Sequence, residues 1–190
     1  MLEITVAKEG ERLYLDSMVI IAYLQKSHRL HAKATSIMSK IEQLKFEGVV
    51  SSLTLMEFIK ILRGSFIKSG NRDMKAIEDA IREMVKVLYH IDNLYFVEGR
   101  PPEFCLMDEI KTVFFHSISQ IAFEMICKYC GRIKDSSGEL EHYGLSPMDV
   151  LHLALAKKLG CDKIVTDDWA LKDAKTEMTP LLLTDSHAFW

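Results

Sequence analysis

Four acidic residues stand where short apolar runs meet amphipathic ones: Asp16 after Leu-Tyr-Leu, Glu57 in Thr-Leu-Met-Glu-Phe, Asp149 in Ser-Pro-Met-Asp, and Asp168 in Val-Thr-Asp-Asp-Trp. Ligands of open parallel α/β sheets bind beyond the carboxyl ends of the strands, so carboxylates delivered by separate strand–helix junctions converge there. Packed carboxylates repel unless a cation neutralises them, and oxygen-only ligand sets favour hard ions such as Mg²⁺ or Mn²⁺. Such ions activate water for phosphodiester hydrolysis. The pattern predicts a metal-dependent phosphodiesterase.

Most of these acids also have a local explanation. Thr54-x-x-Glu57 and Ser146-x-x-Asp149 fit the capping box, in which a carboxylate in the first turn bonds back to the N-cap amide. Asp168 fits the cap of a short helix over 169–173. Asp16 does not reduce to a cap, because it lies between Leu13-Tyr14-Leu15 and Met18-Val19-Ile20, and a charge beside a core needs a partner or a metal. Asp167 is the alternative to Asp168 as the fourth acid. Ser17, Thr54 and Thr166 flank these positions and could hydrogen-bond the carboxylates or a phosphate, though each is equally a backbone cap.

The elements that would carry the acids follow from the hydrophobic pattern. Arg12 to Leu15 reads as a buried strand after a turn at Gly10, with an alternating segment, Leu2, Ile4 and Val6, before it. A helix is expected from His31 to Phe46, closed by Gly48, then a brief strand at Val49 and Val50. Helices follow from Thr54, from about Asp73 to His90, and from Asp108 to about Cys130, with an extended stretch at Leu94 to Val97. The polar segment Gly131 to Gly144 reads as a surface loop. Ser146 and Pro147 open another helix that Gly160 stops, and Lys163 to Thr166 and Leu181 to Leu183 read as strands. Alternating strands and helices imply an α/β fold with a parallel sheet.

Composition narrows the class further. At 190 residues and 48% apolar content the chain can bury one domain core. The formal net charge of −3 supplies no global attraction for nucleic acid, so any phosphate affinity is local. No run approaches the roughly 18 apolar residues of a membrane span, and the N-terminus lacks a signal-peptide layout, so a cytoplasmic location is expected. Cys105, Cys127, Cys130 and Cys161 are then read as thiols. Cys127-x-x-Cys130 lacks a second close pair, so two thiols on one helix are favoured over zinc. His28-x-x-His31 lacks the zinc-protease arrangement, and P-loop, dinucleotide and nucleophile-elbow motifs are absent. Lys60, Arg63, Lys157 and Lys172 read as solvated helix surface. His152 reads as a packed or capping residue, with a role facing the pocket as the alternative.

With these residues in view, the chain resembles the PIN-domain nucleases, which include the VapC-type ribonuclease toxins and stand-alone archaeal and bacterial relatives. Leu15-Asp16-Ser17, Thr54 to Phe58, Met148 to Ala156, and Leu159 to Asp168 carry the resemblance, over about residues 11–68 and 145–185. It implies a three-layer α/β/α fold with a central, mainly parallel sheet in a single domain, 1–190, enlarged by a helical insertion at about 70–144. It implies Asp16, Glu57, Asp149 and Asp168 as catalytic and Mg²⁺- or Mn²⁺-binding residues, Asp16 ligating directly and Asp168 through water. The implied reaction cleaves single-stranded or looped RNA to a 5′-phosphate and a 3′-hydroxyl. Implied partners are the RNA substrate, an antitoxin protein and a second copy of the chain. The family's Thr-x-Asp pattern selects Asp168, but Leu171 replaces its usual aromatic, so Asp167 stays open as the alternative. Two other readings remain: a catalytically silent module binding RNA or protein, and a structure-specific DNA nuclease.

Overall fold

A computed structural model describes residues 7–97, 125, 132–134, 140–143, 145–168, 170–171 and 178–184. The element order is β1 (Arg12–Leu15), α1 (Ser17–Leu24), α2 (His31–Glu42), β2 (Glu47–Ser51), α3 (Ser52–Lys68), α4 (Met74–Tyr89), β3 (Leu94–Val97), β4 (Arg132–Lys134), β5 (Leu140–Tyr143), α5 (Pro147–Lys158), β6 (Lys163–Thr166) and β7 (Thr179–Leu182). Five strands form one sheet in the order β3-β2-β1-β6-β7, and every pairing in it is parallel. Chain order runs outward from β1 on one side and resumes at β6 on the other. The β1/β6 boundary is therefore the switch point of the sheet.

Successive residues of a strand point to opposite faces, and β1 divides the core accordingly. Leu13 and Leu15 pack with Val19, Ile20, Ile37, Ile41, Phe58, Leu62 and Ile77 of α1 to α4. Tyr14 points the other way, with Val49, Ile164 and the buried side chains Val150, Leu153, Ala154 and Ala156 of α5. Helices cover both faces, giving three layers. Each fully buried Leu or Ile contributes about 1.5–3 kcal/mol before chain entropy is counted, so this two-sided burial stabilises β1, the strand that carries Asp16.

Several elements depart from the sequence reading for identifiable reasons. Helix α2 stops at Glu42, and Leu44, at φ 62°, turns the chain in the left-handed region where Gly48 had been expected to close it. Gly48 instead lies in β2, where an added Cβ would sit 2.7 Å from Leu94 Cδ1 and 2.8 Å from Ile41 Cδ1. It is a close-approach residue rather than a helix stop. Pro180 falls inside β7, which it can do because β7 is an edge strand needing no inward amide there. The segment expected to be a loop at 131–144 contains the antiparallel pair β4 and β5, with Arg132 opposite Tyr143 and Ile133 opposite His142. Of the expected insertion at 70–144, α4 packs on α3, and β3 pairs with β2 as a strand of the main sheet. The expected helix at 108–130 lies outside the described residues except for the buried, helical Met125, and Cys105, Cys127, Cys130 and Lys172 lie outside them too. Among the described residues no helix is long and apolar enough to cross a membrane.

Candidate metal centre and active site

Asp16 is the first residue after β1 and the N-cap of α1. Its amide donates to Val165 O of β6 at 3.0 Å, which ties it to the switch point. Its Oδ1 accepts from Ser17 N at 2.5 Å and lies 3.2 Å from the Ser17 hydroxyl, and its Oδ2 accepts from Thr166 Oγ1 at 2.7 Å. Thr166 is fully buried at the end of β6, so two strand ends orient this carboxylate. An extended N-cap residue with its oxygen on an early helix amide is the ordinary way to start a helix. Here the cap also aims a charge over the sheet edge.

Glu57 arrives by a different route from the capping box expected for it. Helix α3 begins at Ser52, and the N-cap is Ser51, whose hydroxyl accepts from Thr54 N at 3.2 Å. Glu57 therefore lies in the second turn, where no free helix amide claims its oxygens. Thr54 is fully buried, and its hydroxyl is 3.2 Å from both Leu15 O and Tyr14 Oη, pinning the start of α3 to β1. Glu57 Oε2 accepts from Ser17 Oγ at 3.1 Å and lies 2.8 Å from His152 Nε2. The Ser17 hydroxyl thus stands between the two carboxylates.

His152 is buried, in keeping with the packed residue read from the sequence, and it also takes the alternative place beside the acids. It is 4% exposed, yet both ring nitrogens face polar partners, Nδ1 lying 2.8 Å from the Tyr14 hydroxyl and Nε2 on Glu57. Asp16, Glu57 and His152 form a group whose ligand atoms all lie within 4.8 Å of one another. The signal in the sequence was one imidazole inside the apolar run Val150 to Ala156, with a tyrosine inside Leu13 to Leu15 to meet it. Only the packing of α5 on β1 reveals that they touch.

The other expected acids lie outside that group. Asp149 is the N3 residue of a complete capping box, its Oδ2 accepting from Ser146 N at 2.9 Å while its own amide donates to Ser146 Oγ at 3.2 Å. Asp168 is exposed, its Oδ1 accepts from Ala170 N at 2.8 Å, and its amide donates to Thr166 Oγ1 at 3.0 Å. Asp167 separates from it clearly, since its carboxylate is 10% exposed and ion-paired to Arg29. Asp167 is already neutralised, whereas Asp149 Oδ1 and Asp168 Oδ2 accept no hydrogen bond among the described residues.

The donor set suits a hard divalent cation. Two carboxylates from different junctions are oriented by neutral donors, and Glu57 Oε1 accepts nothing among the described residues. The His152 hydrogen bond, more than any other influence, holds the Glu57 carboxyl below its usual range. Burial works against it, and the charge of His152 when protonated, the Ser17 hydroxyl and the Lys60 charge assist, in that order. Glu57 is therefore anionic at neutral pH and 25% exposed, ready to coordinate.

No family model matches this sequence, and no curated protein does. Solved structures do. A chain of VapBC2 from Rickettsia felis, bound to a DNA fragment from their promoter, is similar at a TM-score of 0.53 and 11% identity, over 89% of this chain and 96% of that one. Mycobacterium tuberculosis VapC20, a Sarcin-Ricin loop cleaving toxin, gives a TM-score of 0.47 and 14% identity, over 85% of this chain and 94% of that one. The first likeness shows that the α/β fold, with its five-stranded parallel sheet, is PIN-like.

Proposed function

We propose that the chain is a metal-dependent endoribonuclease that hydrolyses phosphodiester bonds of single-stranded or looped RNA. One observation carries the reading: Asp16 and Glu57, delivered by the β1–α1 and β2–α3 junctions, place carboxylate oxygens within 4.8 Å of one another beside the switch point. Carboxylates this close repel one another, and a bound cation would relieve that repulsion. The PIN-like fold and the motifs around the acids support the same assignment.

Asp16 and Glu57 would hold Mg²⁺ or Mn²⁺ directly, while Asp149 and Asp168, through their unengaged oxygens, act by way of water. When bound, the ion supplies a water of lowered pKa and charge stabilisation for the phosphate. The protein's own groups do the positioning. Thr166 and Ser17 fix both oxygens of Asp16, and Ser17 shares its hydroxyl between Asp16 and Glu57. Arg29 neutralises Asp167, which keeps that acid from competing for the ion. An antitoxin partner and a dimer belong to this proposal through the VapC likeness.

The test incubates purified protein with labelled single-stranded RNA and DNA in Mg²⁺, Mn²⁺ or chelator, beside Asp16→Asn and Glu57→Gln. RNA cleavage that needs the ion and both acids is expected. DNA cleavage alone would assign the site to a DNA nuclease, and metal-independent cleavage unchanged by both substitutions would refute it. RNA binding with no cleavage would indicate a silent binding module.

A further inference from the structure

His152 is buried, titratable and in contact with a proposed ligand, and two roles are open to it: ligand or support. Its geometry decides between them. Both ring nitrogens are engaged, Nδ1 at 2.8 Å from Tyr14 Oη and Nε2 at 2.8 Å from Glu57 Oε2, and the tyrosine and imidazole rings meet edge-on with centroids 5.7 Å apart. An ionised carboxylate can only accept, so the proton on the Glu57 bond belongs to Nε2.

The remaining protons then fall into one order. A neutral imidazole with Nε2–H leaves Nδ1 as an acceptor, which Tyr14 Oη–H fills. Tyr14 Oη can in turn accept from Ser51 Oγ, 2.6 Å away, while the Thr54 hydroxyl has Leu15 O at 3.2 Å. Every donor in the chain Ser51, Tyr14, His152, Glu57 has an acceptor, and the carboxylate is the only charge. With Glu57 taking the proton on Nε2 and Tyr14 giving one to Nδ1, the two neighbours select one tautomer of the ring. Burial also raises the pKa of Tyr14 strongly, so its hydroxyl keeps the proton that it donates.

We propose that His152 is a positioning residue for Glu57, an Nε2–H donor locked in that tautomer by Tyr14, and is not itself a ligand of the ion. This deepens the nuclease reading and rests on it for the identity of the ion. To ligate, Nε2 would have to lose its proton, Nδ1 would gain one, and the bonds back to Ser51 would all reverse. As support, His152 instead holds Glu57 Oε2 together with Ser17, and Oε1, which accepts no hydrogen bond among the described residues, would hold the ion. Outer partners of this kind typically change metal affinity by about 10- to 100-fold when removed.

The experiment uses the full chain with ¹⁵N-labelled histidine. Long-range ¹H–¹⁵N correlation of the metal-free protein at neutral pH reads which ring nitrogen carries the proton, and the His152 signal is identified by its loss in His152→Gln. The expected result is Nε2–H, retained when diamagnetic Mg²⁺ is added to saturation. Calorimetric titration with Mn²⁺ should show affinity about 10- to 100-fold weaker in His152→Leu. His152→Gln, which keeps an amide donor, should recover most of it. A ring protonated at Nδ1 alone or at both nitrogens, loss of the Nε2 proton on adding Mg²⁺, or glutamine no better than leucine would each overturn the proposal. A protein with the Nε2–H ring that binds no divalent ion would support the hydrogen-bond relay while overturning the nuclease reading.

Discussion

Replacing Asp16 by Asn separates the cost of the site from its use. Two carboxylates with oxygens no more than 4.8 Å apart repel by about 1 kcal/mol or more if screened as in water, and by about 3.5 kcal/mol or more at the effective dielectric of a protein surface. Asparagine removes that repulsion from the metal-free protein. It keeps an acceptor for Ser17 N and caps a helix about as well as aspartate. It loses the charge-assisted hydrogen bond from Thr166 Oγ1, about 1.5–3 kcal/mol, and a favourable charge at the start of α1, about 0.3–1 kcal/mol. Gains and losses overlap in size, so in chelator the variant should be within about 2 kcal/mol of wild type or more stable. Saturating Mg²⁺ reverses the order, since an ion at 100 times its Kd stabilises wild type by about 2.7 kcal/mol and the variant far less. Urea denaturation with EDTA and with Mg²⁺, beside RNA cleavage, reads both effects. A variant destabilised by more than about 4 kcal/mol in EDTA, beyond the summed losses, would show that Asp16 is chiefly structural. So would equal stabilisation of both proteins by Mg²⁺.

Three further expectations follow from neighbouring groups. Asp149→Ala removes the carboxylate half of the α5 capping box and should cost about 0.3–1 kcal/mol in chemical denaturation, with less effect on cleavage than Glu57→Gln; a larger activity loss than Glu57→Gln would make Asp149 the primary ligand. Arg29→Ala leaves Asp167 largely buried and unpaired, with Oδ1 already lacking a hydrogen bond, and should cost about 1–3 kcal/mol; a change below a few tenths would show the pair to be a surface contact. Tyr14 has a folded pKa well above its ordinary 10.0, because burial disfavours the phenolate, so the stability it contributes is intact below pH 10 and drains as pH rises from there towards the folded value. The denaturation midpoint of wild type should therefore fall more steeply above pH 10 than that of Tyr14→Phe, and parallel slopes would contradict the buried hydroxyl.

Much of the frame is legible in the amino-acid sequence. The strands Arg12–Leu15 and Lys163–Thr166 are readable because each is a short apolar run bounded by a turn signal and an acid. The α5 start is readable because Ser146, Pro147 and Asp149 encode a cap whose every bond is local. Local rules mislead where two caps compete. Thr54-x-x-Glu57 satisfies the capping-box pattern, but Ser51 sits three residues earlier and captures the Thr54 amide, which moves Glu57 one turn inward.

The order and chemistry of the residues along the chain thus determined the parallel α/β class, the placing of Asp16 at the end of a buried strand, and the start of α5, because hydrogen bonds and periodicity within a few residues encode each of them. Which groups meet at the site was decided by tertiary structure alone. Glu57 and His152 are 95 positions apart, and Tyr14 and His152 are 138 apart, so nothing local records their contact. Packing of α3 and α5 about β1 brought the histidine to the carboxylate, paired Asp167 with Arg29, and left Asp168 exposed. Polar groups brought together inside a fold must satisfy one another, and that requirement appears only once the layers close.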